Sequence, residues 1–498
     1  VLDNRNKNKV GLDDCLQREF GYHMVKGVGK EVEKHTFQNV AKYAYLDAKY
    51  TFLLWKNIAP RIIESKVDKV MKLEMDVLAV LCDMKLTGAP IDTESLETLY
   101  NKLLEDIEKS KAEIFKAAGR QFNINSNQEK QYLLYSPKSE GGRGLTPKAL
   151  TTRGISNDVA GKELDYSDYS VSAEALEPYR DKDPLVTAML TYADLNKLLT
   201  TYVVPYMGGD VTRTTGGKSK VEHKESLLIN NRIHCDFVQH GAETGRFSSR
   251  NPNLQNIPNP SASENGRAIR NLFYAPEGYK LVVADYSQIE PRIIASMSED
   301  PIMMDNYLQQ KDIYTTVGDA MGVDRKAGKV LVLAMAYGVG PDKISRSIGC
   351  TVTAAKELLD NFSKTFNSVN KYRLKVLAVT RASNPPFVYT LLGRRRYIPD
   401  IMSSDRGLRA SAERQAFNTR IQGSAADIMK LAMVRAHAMI PEGSKLLLTV
   451  HDELVTLTPD HLADETAEAI REAMEGINLL KVPLIADVKT VQRWGEAK

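Results

Sequence analysis

LVVADYSQIE, residues Leu281 to Glu290, is a short apolar, β-prone run that stops abruptly in acid at Asp285. A second run of the same kind, LLLTVHDELV at Leu446 to Val455, carries Asp452 and Glu453 at its centre. Runs of this length and composition read as buried strands. A buried strand does not carry a carboxylate to its end without something to neutralise it. Two carboxylates within ~4 Å repel by about 4 kcal/mol at an effective dielectric of ~20. A divalent metal between them turns that repulsion into a binding site. Mg²⁺, a hard cation that takes oxygen ligands, suits two aspartates and a phosphate.

The context of the two runs supports reading them together. HDE lies between LLLTV and LVTLT, which can pair as a hairpin. DYSQIE leads into PRIIASMS, which reads as a helix starting at Pro291, a residue suited to a first turn. Strand-acid-helix and strand-acid-strand together frame two-metal phosphoryl transfer. Between the runs, the chain reads as helical from about 302 to 382. A hairpin (FVYTLLGRRRYIP) and a long helix from about 406 to 439 follow. This pattern implies a sheet domain with a helical insertion. Ahead of Asp285, two long amphipathic helices between about 67 and 120 are punctuated by LTGAPID. Residues 136–175 read as loop, PLVTAMLTYADLNKLLTTYV as helix, and GGDVTRTTGGKSK as a second flexible patch.

The bulk numbers set bounds. The chain has 498 residues, enough for several domains, and a net charge of +4. A polyanion must therefore meet local basic patches rather than a global positive field. Cys15, Cys82, Cys235 and Cys350 show no metal-type spacing, so neither a disulfide framework nor a structural zinc is indicated. They suit a reducing compartment. No apolar run approaches the roughly 18 residues of a membrane span, and the start shows no signal-peptide pattern. Beginning at Val1, the chain reads as a fragment or processed product.

DRKAGKVLVLAMAYG places Arg325, Lys329, Leu333 and Tyr337 four residues apart. On a helix that is a stripe drifting by about 40° per step and spanning about 18 Å. Two cations at its start and an aromatic at its end could reach from a triphosphate to a base pair. A solvated basic face with a core tyrosine is the plain alternative.

With these motifs in hand, the chain resembles the DNA polymerase I family (family A). DYSQIE is similar to that family's motif A, VHDE to motif C, and the Arg325–Tyr337 stripe to motif B. The resemblance implies an α+β, right-hand polymerase fold with an antiparallel palm sheet and helical fingers and thumb. It divides the chain into an exonuclease-like remnant at 1–66, thumb 67–225, palm 226–305, fingers 306–404 and palm again at 405–498. It implies template-directed DNA synthesis with two Mg²⁺ ions, for which Mn²⁺ can substitute. Asp285, Asp452 and the Tyr286 carbonyl are the implied ligands, and Glu453 is acidic support.

The implied nucleotide-binding residues are Arg325, Lys329, Leu333, Tyr337, Glu290, Gln288 and Tyr314. Arg325 and Lys329 hold phosphates, Tyr337 lies near the templating base, and Glu290 excludes the ribose 2′-hydroxyl. Three positions depart from the family pattern. Leu333 stands where Phe or Tyr is usual, Tyr314 where a phosphate-binding His is common, and Pro291 where Leu is usual. Tyrosine donates a hydrogen bond but carries no positive charge at neutral pH.

Duplex contacts are implied for Arg246, Gln255 and Asn256 in TGRFSSRNPNLQNIP, and for Arg414, Asn418 and Gln422 at i, i+4, i+8. His451, Lys197 in NKLLTTY, and Arg394 and Arg395 in GRRR complete the set. Primer-template DNA and dNTPs are the implied partners of an expected monomer in a bacterial or virus-infected cytoplasm, with a slight lean to a phage enzyme. A processivity factor or a separate exonuclease polypeptide would be a further partner. Tyr43 and Asp47 resemble the third exonuclease motif, YxxxD. The other exonuclease carboxylates are not found here, so no proofreading is expected. A single-subunit RNA polymerase shares the two-aspartate palm, but Glu290 and NPNLQNIP argue against it. A silent nucleic-acid-binding protein would not need Asp285, Asp452, Arg325 and Lys329 together.

Overall fold

A computed structural model describes residues 10–24, 28, 32–215, 218–258 and 264–497, so the first nine residues of the 1–66 segment lie outside it. Helix α1 (Phe37–Glu64) carries Tyr43 and Asp47. Helices α2 (Asp68–Thr87) and α3 (Thr93–Ala118) follow, separated by the expected break at Gly88 and Pro90. Asp92 caps α3 by accepting from Ser95 N–H at 3.0 Å. Leu96, Leu99, Leu103, Ile107 and Ile114 then bury one face at helical spacing. They pack on α4 (Pro184–Leu198), which runs into a π turn at Leu199–Val203.

The 208–220 patch contains paired strands. Gly209–Thr215 and Lys218–Lys224 pair as an antiparallel hairpin, with residues 216–217 outside the described set. Val211, Thr212, Thr214 and Thr215 favour extended backbone, which outweighs the glycine-rich composition.

Helix α5 (Glu264–Asn271) precedes strand β1 (Tyr279–Tyr286). The helical insertion contains α6 (Ile289–Ser298), α7 (Ile313–Met321), α8 (Arg325–Tyr337) and α9 (Asn367–Ala382). Helix α6 starts two residues earlier than Pro291, which puts Glu290 in its first turn. After the Phe387–Tyr389 and Arg395–Tyr397 hairpin, the expected long helix runs from Arg406 to Met439, as α10 (Arg406–Asn418) and α11 (Ser424–Met439) on either side of a π turn at Thr419–Gly423. Strands β2 (Lys445–Val450) and β3 (Glu453–Pro459), helix α12 (Ala463–Glu475) and strand β4 (Ala486–Val491) follow, with a closing turn at Trp494–Ala497.

The four strands form an antiparallel sheet in the order β2-β3-β1-β4. Both faces are covered. Val282, Ala284 and Tyr286 join a core with residues of α2, α6, α8 and α11, while Leu281 and Val283 join a second core with α3 and α4. This two-sided burial is why β1 reads as an unbroken apolar run instead of alternating. Among the described residues no helix is long and apolar enough to cross a membrane.

Candidate active site

The two acid-bearing runs meet at one end of the sheet. Glu453 lies opposite Asp285 in the β1–β3 register, and Tyr286 N–H donates to the Asp452 carbonyl at 3.1 Å. On the other side of β1, Asp487 of β4 pairs with Asp285. Directly opposed residues of an antiparallel pair share a face, so a third acid borders the pair. The turns that aim these residues use left-handed backbone, at His451 (φ 57°) and at Gln288 (φ 56°). Such conformations hold where the surroundings over-determine them.

Here Gln255 does that. It is buried, donates to Thr449 O at 2.7 Å and accepts from His451 N–H at 3.3 Å. Its amide is turned inward onto the HDE turn. Asp285, Asp452 and the Tyr286 carbonyl make an all-oxygen donor set, which fits a hard divalent cation that keeps ligands from water or substrate.

Glu453 has a different setting. It is buried, and its Oε1 accepts from Arg270 Nη1 at 3.1 Å and from Trp494 Nε1 at 2.6 Å. The Arg270 guanidinium lies 4.2 Å from the Trp494 ring centroid. Burial pulls the Arg270 pKa down, and Glu453 and Asp285 oppose that fall. The expected acidic support is therefore half of an interior ion pair.

Helix α8 begins at an Asp324 cap, which accepts from Ala327 N–H at 2.7 Å, and ends at Gly338 in left-handed backbone. Arg325 and Lys329 are exposed on its first turns. Their charged groups lie 5.5 and 5.8 Å from the centre of the Tyr314 ring, so one aromatic flanks both cations. Arg325 pairs with Asp312 at 2.7 Å. Burial, then Asp312 and Glu290, push the Tyr314 hydroxyl up to about 12, so it stays protonated at neutral pH.

At the far end of α8, Tyr337 OH donates to Glu290 Oε2 at 2.7 Å, and Arg246 Nη2 meets Glu290 Oε1 at 2.6 Å. Burial, then Glu290, raise Tyr337 to about 12, while a hydrogen bond with Gln422 works the other way. The structure thus gathers Arg246, Glu290, Tyr337 and Gln422 into one polar chain. The π turn between Asn418 and Gln422 alters the angular step of the predicted stripe. Arg414 is exposed and packs on Gly338, where a Cβ would sit 2.8 Å from its Cγ. Gln288 accepts from Tyr307 OH at 3.1 Å, and Leu333 is half-buried.

Other expected residues fall elsewhere. Lys197 is exposed in the last turn of α4, and Asn256 and His451 are exposed. Arg394 is buried and bonded to Asp427 and Glu74. Arg395 stacks its guanidinium 4.7 Å from the Phe387 ring centre. Sequence reasoning missed Arg270, Asp487 and Trp494. It also missed Asp427 and Lys430, although two opposite charges three residues apart in an apolar helix were a usable signal.

Comparison with known proteins places this geometry. The family model described as DNA polymerase family A matches residues 93–496. The chain is 34% identical over 483 residues to a thermostable DNA polymerase I of Thermus filiformis, covering 95% of this chain and 53% of that protein. It is 35% identical over 476 residues to DNA polymerase I of Chloroflexus aurantiacus, covering 92% and 47% respectively. It thus spans about half the length of these curated relatives. A solved structure of the POL domain of Pol1 from M. smegmatis, in complex with DNA primer-template and dNTP, aligns with a TM-score of 0.80 and 27% identity, covering 99% of this chain and 80% of that one. The two joined acid-ended strands, the cationic helix and the match across both sheet segments lead to one conclusion: this chain belongs to DNA polymerase family A.

Proposed function

We propose that this chain adds deoxynucleotides to a primer 3′-hydroxyl under the direction of a template, releasing pyrophosphate. The observation that carries this reading is the Tyr286 N–H bond to Asp452 O, which locks the two acid-ended strands together. Asp285, Asp452 and the Tyr286 carbonyl would hold two Mg²⁺ ions, whose chemistry is to activate the hydroxyl and to stabilise charge on the leaving pyrophosphate.

The remaining roles belong to the chain itself. Arg325 and Lys329 bind the triphosphate beside the N-terminus of α8, where main-chain N–H groups also favour anions. In this structure Arg325 is held by Asp312, so the nucleotide must compete with that half-buried carboxylate. The protonated Tyr314 hydroxyl is available as a neutral donor. Arg246 and Tyr337 fix both oxygens of Glu290, so this carboxylate presents a rigid wall to the sugar. Arg414, Asn418 and Gln422 face the minor groove, whose acceptors are alike for every base pair, and so test pair shape without reading sequence.

Extension of a primed template with dNTPs or rNTPs tests the reading; efficient use of rNTPs would overturn it. Two variants sharpen the test. Glu290→Ala opens the wall and is expected to raise ribonucleotide use by about 10- to 100-fold relative to dNTPs, the range for loss of one discriminating contact. Leu333 offers neither a ring nor a hydroxyl to the sugar. Dideoxynucleotides are therefore expected to be used poorly, and Leu333→Tyr to improve their use by about tenfold, read from competitive incorporation. Equal use of both sugars by the unchanged chain contradicts the Leu333 assignment.

A further inference from the structure

Beneath the Thr244–Phe247 loop lies a group of charges that the proposed reaction does not use. Glu74 comes from α2, Arg394 from the Phe387–Tyr397 hairpin, and Asp427 and Lys430 from α11. Lys430 is fully buried, and its Nζ lies 2.6 Å from Glu74 Oε1. Arg394 pairs with Asp427 at 2.7 Å and also with Glu74. The Thr390 hydroxyl donates to Asp427 at 2.5 Å, and the Gln239 amide donates to Glu74 O at 2.8 Å. With two cations and two anions the group is neutral, and nearly every oxygen has a donor.

The loop rests on this group on either side of Arg246. Gly245 has φ +87°, and a Cβ there would lie 2.6 Å from Arg394 Cδ, so the main chain lies directly on the guanidinium stem. The Phe247 ring centre is 4.8 Å from the Lys430 ammonium. A Cβ on Gly423 would be 3.0 Å from Thr244 O, so the loop's start is seated as well. Arg246 projects from between these anchors to Glu290.

We propose that Lys430, with Glu74, Arg394 and Asp427, is a positioning residue for Arg246: the buried group seats the loop from which Arg246 reaches Glu290 and the primer end. The proposal rests on the polymerase reading of Arg246. The charge on Lys430 is needed both for the Glu74 pair and for the attraction to Phe247. It is also conditional. Burial pulls Lys430 down to about 8, Arg394 pushes the same way, and Glu74 and Asp427 oppose it. Below that pH the group is neutral; above it, Lys430 is uncharged, one buried negative charge is left over, and Phe247 loses its cation.

The test is affinity for a primer-template duplex, by fluorescence anisotropy without nucleotide, for the unchanged chain, Lys430→Met, Arg246→Ala and both together. Each single change is expected to weaken binding about tenfold, and the double change to be no worse than Arg246→Ala alone, as for coupled neighbours. The unchanged chain should lose affinity between about pH 7 and 9, while Lys430→Met stays level across that range. Glu74→Gln with Lys430→Met removes both charges of the pair and guards against an uncompensated buried anion. It should bind DNA like Lys430→Met while melting like the unchanged chain. A double change that weakens binding about a hundredfold, or a pH response retained by Lys430→Met, overturns the proposal while leaving Arg246 at the primer end. If Arg246→Ala alone leaves primer binding and extension unchanged, the reading of Arg246 fails and the proposal falls with it.

Discussion

Replacing Asp285 or Asp452 by asparagine is expected to slow primer extension by at least about 10³-fold, roughly 4 kcal/mol of transition-state stabilisation. Asparagine keeps the size of the side chain and removes the charge that a divalent cation needs. The strands themselves are held by main-chain pairing: Glu453 with Asp285, Leu454 with Ala284 and Val455 with Val283. None of that pairing depends on the carboxylates. The fold should therefore tolerate either change to within about 1 kcal/mol, and removing one of several neighbouring negative charges should favour it slightly. Single-turnover extension and thermal melting separate the two effects. Near-normal extension by either variant contradicts the metal assignment.

Glu453→Gln is expected to act in the opposite way, through stability first. The carboxylate is buried and shares one oxygen between Arg270 and Trp494. The amide removes the charge that compensates a guanidinium of 5% exposure. Breaking one side of such a pair costs about 3–5 kcal/mol. The closing turn at Trp494–Ala497 packs on α5 and, through Trp494, on Phe273 at 5.3 Å between ring centres, so the loss should be felt there. The chain has two tryptophans, Trp55 and Trp494, and Trp494 is the buried one. With Trp55 replaced by Phe, urea unfolding followed by Trp494 fluorescence should show the midpoint fall. An unchanged midpoint would show that the Arg270 pair adds nothing to the native state.

The two predictions differ because neighbouring acids in one motif, Asp452 and Glu453, have different surroundings, and only part of that difference is readable in sequence. The acid-ended strands were legible because burial on both sheet faces makes their apolar runs continuous up to the carboxylate. Helix α8 was legible because one four-residue spacing fixes which side chains share its face. Arg394 was not. GRRR reads as a run of phosphate-contacting arginines, yet Arg394 lies in the turn just before the Arg395–Tyr397 strand. Arg394 turns inward to Asp427 and Glu74, 33 and 320 residues away in sequence, while Arg395 stacks on Phe387. Arg270 and Trp494 lie 183 and 41 residues from the glutamate they hold. Nothing local marks such partners. The π turn at Thr419–Gly423 was hidden for another reason: the stretch has ordinary helical periodicity, which does not mark a wider turn. In the Gly209–Thr215 strand, β-branched residues decided the structure against a glycine-rich composition.

The central claim is that the joined ends of β1 and β3 form a templated nucleotidyl-transfer site. Its most direct test is extension of a radiolabelled primer by this chain with Mg²⁺, offering each dNTP singly against each of the four template bases. The account predicts one added nucleotide wherever the dNTP complements the template base, pyrophosphate released in equal amount, and no product from Asp285→Asn. Tight duplex binding without extension, or addition that ignores the template base, would contradict it.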